Sequence, residues 1–94
     1  MESRSGITLV ERARVFKALG EPTRLRIVDF LRNQRREVTG KEVADSAGIS
    51  LALLSHHADT LVVAGIVRKR KEGQRTYWTL YRDALASVLR SQAQ

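Results

Sequence analysis

Residues 39–64, TGKEVADSAGISLALLSHHADTLVVA, read as two helices joined by a tight glycine turn. Thr39-Gly40-Lys41-Glu42 matches a capping box: the Thr39 hydroxyl can accept a free helix N–H while the Glu42 carboxylate reaches back to the cap. The helix it opens is short, about Gly40 to Ala47, with Val43, Ala44 and Ala47 facing inward. Gly48 supplies the left-handed backbone that a sharp turn demands. Ser50 is placed to cap the next helix, which runs to about Ala64. Directly downstream, Ile66 to Lys71 and Arg75 to Leu80 are rich in β-branched, aromatic and basic residues, and Glu72-Gly73 marks a turn between them. A helix, a turn, a second helix and a basic hairpin are the elements needed to seat a helix in a DNA groove beside a β-ribbon.

Outward from that stretch, a helix is expected from about Thr8 to Leu19, closed by Gly20. A second helix is expected from Pro22, where proline is tolerated, to Asn33. Leu25, Val28 and Leu31 define one face of it, widened by Ile27 and Phe30. Residues 33–37 form a polar linker. A last helix is expected from about Asp83 to Ser91. The predicted fold is α+β and mostly helical: a winged helix-turn-helix in the order α1-α2-α3-α4-β-hairpin-α5. Residues 1–94 are taken as a single domain, with 1–6 loose, 40–64 the helix-turn-helix and 66–80 the wing.

A chain of 94 residues has a thin core, and a dimer that buries further apolar surface would stabilise it. The net charge is +7, and 13 of the 17 basic residues are arginine, which points to a polyanionic partner. From Ile66 to Arg82 there are six basic residues and one acidic one, so the excess concentrates on the hairpin. Cysteine is absent, which removes disulfides, thiolate ligands and a cysteine nucleophile. No apolar run suits a signal peptide or approaches the roughly 20 residues of a membrane span, so no membrane partner is expected. The expected compartment is the cytoplasm.

On a helical wheel Leu54, Ala58 and Leu61 cluster toward the core, and Ala52, Ser55, His56, Asp59, Thr60 and Val63 lie opposite. Ser55 and His56 can bond base edges or phosphates. Leu51, Ala52 and Leu53 occupy the helix N-terminus, after the Ser50 cap that joins them among the expected DNA contacts; base contacts usually originate there, and the three apolar residues can meet thymine methyl groups but donate no hydrogen bond. Asp59 either pairs with a nearby arginine or accepts from cytosine N4. His57, on the flank, is read as structural and bonded to a backbone carbonyl. In the hairpin, Arg68, Arg70, Lys71 and Arg75, with Gln74 at the tip, are the expected phosphate contacts. Tyr77 and Trp78 face opposite ways, one toward the core.

These segments together resemble the ArsR/SmtB family of bacterial winged-helix repressors. Ala18-Leu19-Gly20-Glu21-Pro22-Thr23-Arg24-Leu25-Arg26-Ile27 is similar to that family's entry to its second helix. Residues 43–50 resemble its helix-turn, Leu54-Ser55-His56-His57 its recognition helix, and Ala64-Gly65-Ile66-Val67 with Glu72-Gly73-Gln74-Arg75 and Tyr77 its wing. The resemblance covers about Phe16 to Leu80 in the family's order. It implies a homodimer formed by the first and last helices, repression at an imperfect inverted repeat in double-stranded DNA, and release when an effector binds. Independently, the apolar stripes Leu9/Ala13/Phe16 and Leu85/Val88/Leu89 fit a dimer interface, with ordinary core packing as the alternative.

The sequence departs from the metal-sensing members. A cysteine pair near the start of the third helix of some members falls at Thr39 and Lys41, and the last helix offers Asp83 but no histidine. His56 and Asp59 alone make a poor site. No metal or other cofactor is therefore expected, and the effector is left open among a weak metal site, a small molecule, a protein and none at all. Catalysis is not expected: there is no glycine-rich phosphate loop, and Ser55-His56-His57 on one helical turn offers no separately oriented base. The competing function is a winged-helix protein-protein interaction module, suggested by apolar Leu51-Ala52-Leu53.

Overall fold

The computed structural model describes residues 7–91, so the expected loose segment at 1–6 lies outside the described residues. Eight elements follow in order: α1 (Leu9–Leu19), α2 (Pro22–Arg32), β1 (Val38–Thr39), α3 (Gly40–Ala47), α4 (Leu51–Val63), β2 (Val67–Glu72), β3 (Arg75–Leu80) and α5 (Arg82–Ser91). Five helices and the hairpin stand where the sequence placed them, each end within a residue or two.

Local chemistry explains the boundaries. The Thr39 hydroxyl accepts from Glu42 N, and a Glu42 oxygen accepts from Thr39 N at 3.1 Å, the reciprocal pair anticipated from the sequence. Thr8 and Glu11 form the same box at the start of α1, with bonds of 2.9 and 3.0 Å. Gly20 closes α1 with φ −78°, so the left-handed geometry usual for a terminal glycine is not used there. At the helix-turn-helix corner Gly48 does adopt φ 69°, and Ile49 N and Gly48 N reach back to the carbonyls of Ala44 and Asp45. Those two bonds are a Schellman closure, which needs a residue free to turn left-handed. Between β2 and β3 the two-residue loop is Gly73-Gln74, and φ is 63° at Gly73 alone, the pattern of a type II′ hairpin.

The sheet has three strands, not two. Val38 and Thr39 pair antiparallel with Trp78 and Tyr77, which gives the order β1-β3-β2. A strand of two residues is too short to show alternation, so the polar linker masked it. The strand ties the entry of α3 to the root of the wing, and Val38 is fully buried beside Trp78.

The core gathers one patch from nearly every element: Val15 and Ala18 from α1, Ile27, Val28 and Leu31 from α2, Val43, Ala44 and Ala47 from α3, and Leu54, Ala58 and Leu61 from α4. Val38, Ile66, Val67, Trp78, Leu80 and Val88 complete it. On α2 the buried face is centred on Ile27, Val28 and Leu31, whereas Leu25, expected inside, is 45% exposed. Arg82 Nη2 donates to the carbonyls of Arg32 and Gln34 at 2.7 Å each, satisfying free acceptors past the end of α2 and pinning the start of α5. Among the described residues no helix is long and apolar enough to cross a membrane.

Candidate nucleic-acid interface

The position of α4 is set from both ends and from below. Ser50 Oγ accepts from Leu53 N at 3.1 Å, the N-cap expected from the sequence. Leu54, Ala58 and Leu61 are each no more than 1% exposed and fix the inner face. The opposite face is open: Leu51, Ala52, Ser55, His56 and Asp59 are all exposed, as is Ser50 at the cap. Ser55 and His56 thus stand side by side on a helix that is rigidly held and uncovered.

His57 is structural, though not through the backbone carbonyl expected of it. Its Nδ1 lies 3.2 Å from Arg24 Nη1 and 3.5 Å from Glu21 Oε2, with Arg24 Nε donating to the Ala18 carbonyl at 2.6 Å. Glu21 also caps α2 by accepting from Arg24 N. Burial pushes the Glu21 carboxyl upward, but the backbone N–H groups of Thr23 and Arg24 and the nearby positive charges outweigh that and hold it below the usual range. The cluster joins α1, α2 and α4.

Asp59 has a lysine neighbour, not the arginine anticipated: Lys69 Nζ lies 3.8 Å from its carboxylate and 5.5 Å from the Trp78 ring centre. An exposed pair of this kind adds little stability, but it offsets the negative charge of Asp59 on the open face of α4. Trp78 is the core member of the aromatic pair, 3% exposed, and Tyr77 lies on the other face of the sheet.

The wing separates its arginines into two kinds. Arg68, Lys71, Gln74 and Arg75 are exposed. Arg70, expected among them, is turned elsewhere: its Nε and Nη2 donate to the two Glu37 oxygens at 2.8 Å each, and its guanidinium lies 4.7 Å over the Tyr77 ring. Along β2 side chains alternate, so Arg70 shares the face of Tyr77 while Lys69 shares that of Trp78. The hydrogen bonds to Arg70 hold the Glu37 carboxyl below its ordinary range, and Arg70 is raised in turn. Arg70 is therefore a fastener between β2 and the segment before β1, and the free charge of the wing rests with Arg68, Lys71 and Arg75.

The expected dimer residues also divide. Leu9 is 73% exposed, Phe16 39% and Leu89 53%, and Ala13 is exposed as well. Val10, absent from the sequence-derived stripe, is 66% exposed beside them. Leu85 is half-buried against the core, and Val88 is 3% exposed inside its own chain, so α5 offers Leu89 rather than Val88 to a partner.

The chain matches a helix-turn-helix domain family over residues 19–70. It is 38% identical over 77 residues to the probable mercury resistance operon repressor of Streptomyces lividans, covering 82% of this chain and 60% of that protein. It is 35% identical over 66 residues to the transcriptional repressor SdpR of Bacillus subtilis, covering 70% and 71%. The homodimeric winged helix-turn-helix DNA-binding domain of a possible ArsR-family regulator from Mycobacterium bovis superposes with a TM-score of 0.74 at 31% identity, over 90% of this chain and 78% of that one. The chain belongs to the ArsR/SmtB family of winged helix-turn-helix transcriptional regulators.

The helix-turn-helix match runs from the end of α1 into β2 and so contains both α3 and α4. Membership makes the chain's role regulatory and not enzymatic. Among the described residues no group of three or more His, Cys, Asp or Glu is gathered to hold a metal. Glu37, Lys69 and Val10 were not singled out from the sequence. A lone carboxylate in the polar linker opposite a basic strand was the available signal for Glu37; nothing local marks the partner of Lys69.

Proposed function

We propose that this ArsR/SmtB chain works in the cytoplasm as a homodimeric repressor, one domain per chain, that seats α4 in the major groove at each half of an inverted-repeat operator. The observation that carries this is the pairing of an open, rigid helix face bearing Ser55 and His56 with a wing whose Arg68, Lys71 and Arg75 are exposed. Phosphate contacts from the wing supply affinity and register, while base contacts from α4 supply discrimination. Exposed Leu9, Ala13 and Phe16 on α1 and Leu89 on α5 form the contact between protomers. An effector that separates or rotates the α1/α5 pair would change the spacing of the two α4 helices and release the DNA. Its chemistry is left among a weakly held metal, a small molecule and a protein.

A second reading has its own observation. Leu51 and Leu53 are 58% and 43% exposed at the start of α4, which suits a protein partner. Salt separates the two. Binding to a duplex selected from a random pool should weaken steeply as salt rises, by about 0.9 in log K per log salt for each phosphate engaged. His56→Ala should reduce the preference for that duplex over random DNA by about tenfold, within the roughly 1–3 kcal/mol that a good base contact carries. Salt-insensitive capture of a protein, with no duplex binding, would overturn the repressor function.

A further inference from the structure

α4 is flanked on both sides, and only one flank is the wing. Toward the hairpin, Asp59 meets Lys69. On the other side an open cleft of about 400 Å³ runs between α1 and α4. His56, Asp59, Thr60 and Val63 form its α4 wall, Asp59 standing between the two flanks, so the cleft opens onto the outward face that carries the base-reading residues. Its α1 wall carries Arg14 and Lys17, with Arg24 at one end.

The three cations are not equivalent. Arg24 is occupied by the Ala18 carbonyl and His57. Arg14 and Lys17 are exposed, and neither is held in an ion pair with a carboxylate among the described residues, although Glu11 contributes to the field around Arg14. Three residues apart on α1, they share one side of that helix. Val15 and Ala18 turn into the core beside them, which fixes the direction in which that side points. Arg14 lies clear of the Leu9/Ala13/Phe16 stripe, whereas Lys17 falls between Ala13 and Val10 at its edge, so a dimer through α1 leaves Arg14 uncovered and holds Lys17 at the rim of the contact.

Resting on the DNA-binding reading above, we infer that Arg14 and Lys17 form a second phosphate grip, holding the duplex backbone on the dyad side of α4 while the wing holds it on the outer side. A free small anion suits this cleft less well than a duplex. No charged side chain in it is buried, and Asp59 also lines it, repelling a small anion held there. A backbone passing along the rim meets the two cations, and Lys69, 3.8 Å from the Asp59 carboxylate, offsets that charge. Two grips astride the reading helix would fix its roll in the groove, which a wing alone leaves free.

The test compares full-length wild type, Arg14→Gln/Lys17→Gln, Arg14→Lys/Lys17→Arg and Arg75→Gln on one selected duplex across a salt series. The glutamine pair is expected to flatten the salt dependence by about 0.9 for each phosphate it no longer engages. The charge-preserving pair should keep the wild-type slope, and Arg75→Gln should flatten it independently. Neutral methylphosphonates between the half-sites should weaken wild type and leave the glutamine pair almost unaffected. A wild-type slope for the glutamine pair beside a reduced one for Arg75→Gln overturns the second grip while DNA binding by the wing stands. A glutamine pair that sediments as a monomer where wild type is a dimer overturns the assignment to phosphate. Absence of wild-type binding at low salt removes the grip together with the reading beneath it.

Discussion

Arg70 and Glu37, 33 positions apart, meet through two parallel hydrogen bonds of 2.8 Å, with the Tyr77 ring packed beneath the guanidinium. The fork of an arginine matches a carboxylate in a way that lysine cannot. This pair spans the sheet from the residue before β1 to the middle of β2, so it sets how the wing leaves the body of the domain.

Arg70 and Arg75 should therefore fail differently. Arg75→Ala removes a free cation and is expected to flatten the salt dependence of duplex binding by about 0.9 while leaving Tm near wild type. Arg70→Ala is expected to lower Tm and leave the salt slope close to wild type, because its charge is already matched by Glu37. Arg70→Lys should recover only part of the Tm loss. Titrations at several salt concentrations alongside thermal melts check both variants, and a slope loss for Arg70→Ala equal to that of Arg75→Ala would restore Arg70 to the phosphate contacts.

What could be read from the sequence was whatever local chemistry decides. The Thr39/Glu42 box, the Gly48 corner and the Ser50 cap each depend on neighbours within five residues, and each is found in place. The same Thr-x-x-Glu signal stands at Thr8 and Glu11, where it fixes the start of α1. Periodicity was sufficient for α4, whose buried side has no polar competitor, but not for α2, where Leu25 and Ile27 are equally apolar and only packing chooses between them. Long-range pairings carried no local mark. Glu37 with Arg70, Lys69 with Asp59, and β1 with β3 all depend on where the chain returns after the helix-turn-helix. The division of α5 between Val88 inside and Leu89 outside likewise follows from its seat on the core, not from its own pattern.

The two glycines that bound α3 should respond in opposite ways to alanine. Gly48 has φ 69°, and although a Cβ there would meet nothing within 4 Å, an L-residue in that conformation costs about 1–2 kcal/mol. Gly48→Ala is thus expected to lower stability and to loosen the angle between α3 and α4. At Gly40 the backbone is ordinary, and a Cβ would rest 3.5 Å from Leu51 and Trp78 side-chain atoms, a normal contact. Gly40→Ala is expected to raise stability by about 0.4–1 kcal/mol, chiefly by restricting the unfolded chain. Urea unfolding of both variants checks the opposite signs; a destabilised Gly40→Ala would show that the pocket around Trp78 does not yield.

Acid should destabilise the fold in part through Glu42. Two Arg36 hydrogen bonds and the Thr39 N–H pull its carboxyl down to about 2, against a smaller upward push from burial. A carboxyl lowered in the folded state binds protons first in the unfolded chain. The stability it contributes is complete above the unfolded value of about 4.3 and is lost as pH falls from there toward 2. Tm is expected to be flat from pH 7 to about 5 and to decline below that. Glu42→Gln should start lower at neutral pH and decline less steeply, since one fewer proton separates the two states. Thermal melts from pH 7 to 2.5 decide the matter: parallel curves for the two proteins would show that Glu42 is not the linked group.

The dimer should depend on α1 and the outer edge of α5 together. Leu9 and Leu89 are large, apolar and mostly exposed, whereas Val88 is already buried in its own chain. Burying exposed leucine against a partner is worth about 1.5–3 kcal/mol per side chain, counted twice in a symmetric pair. Leu9→Asp or Leu89→Glu is accordingly expected to raise the dimer dissociation constant by at least about a hundredfold with little change in the fold of the protomer. Duplex affinity should fall in parallel, because a single α4 loses the second half-site. Val88→Ala is the contrasting case: it opens a cavity in the core, so it should lower Tm while leaving the association constant nearly unchanged. Analytical ultracentrifugation and circular dichroism of the three variants distinguish these outcomes, and a dimer that survives both charged substitutions would place the contact between protomers on another surface.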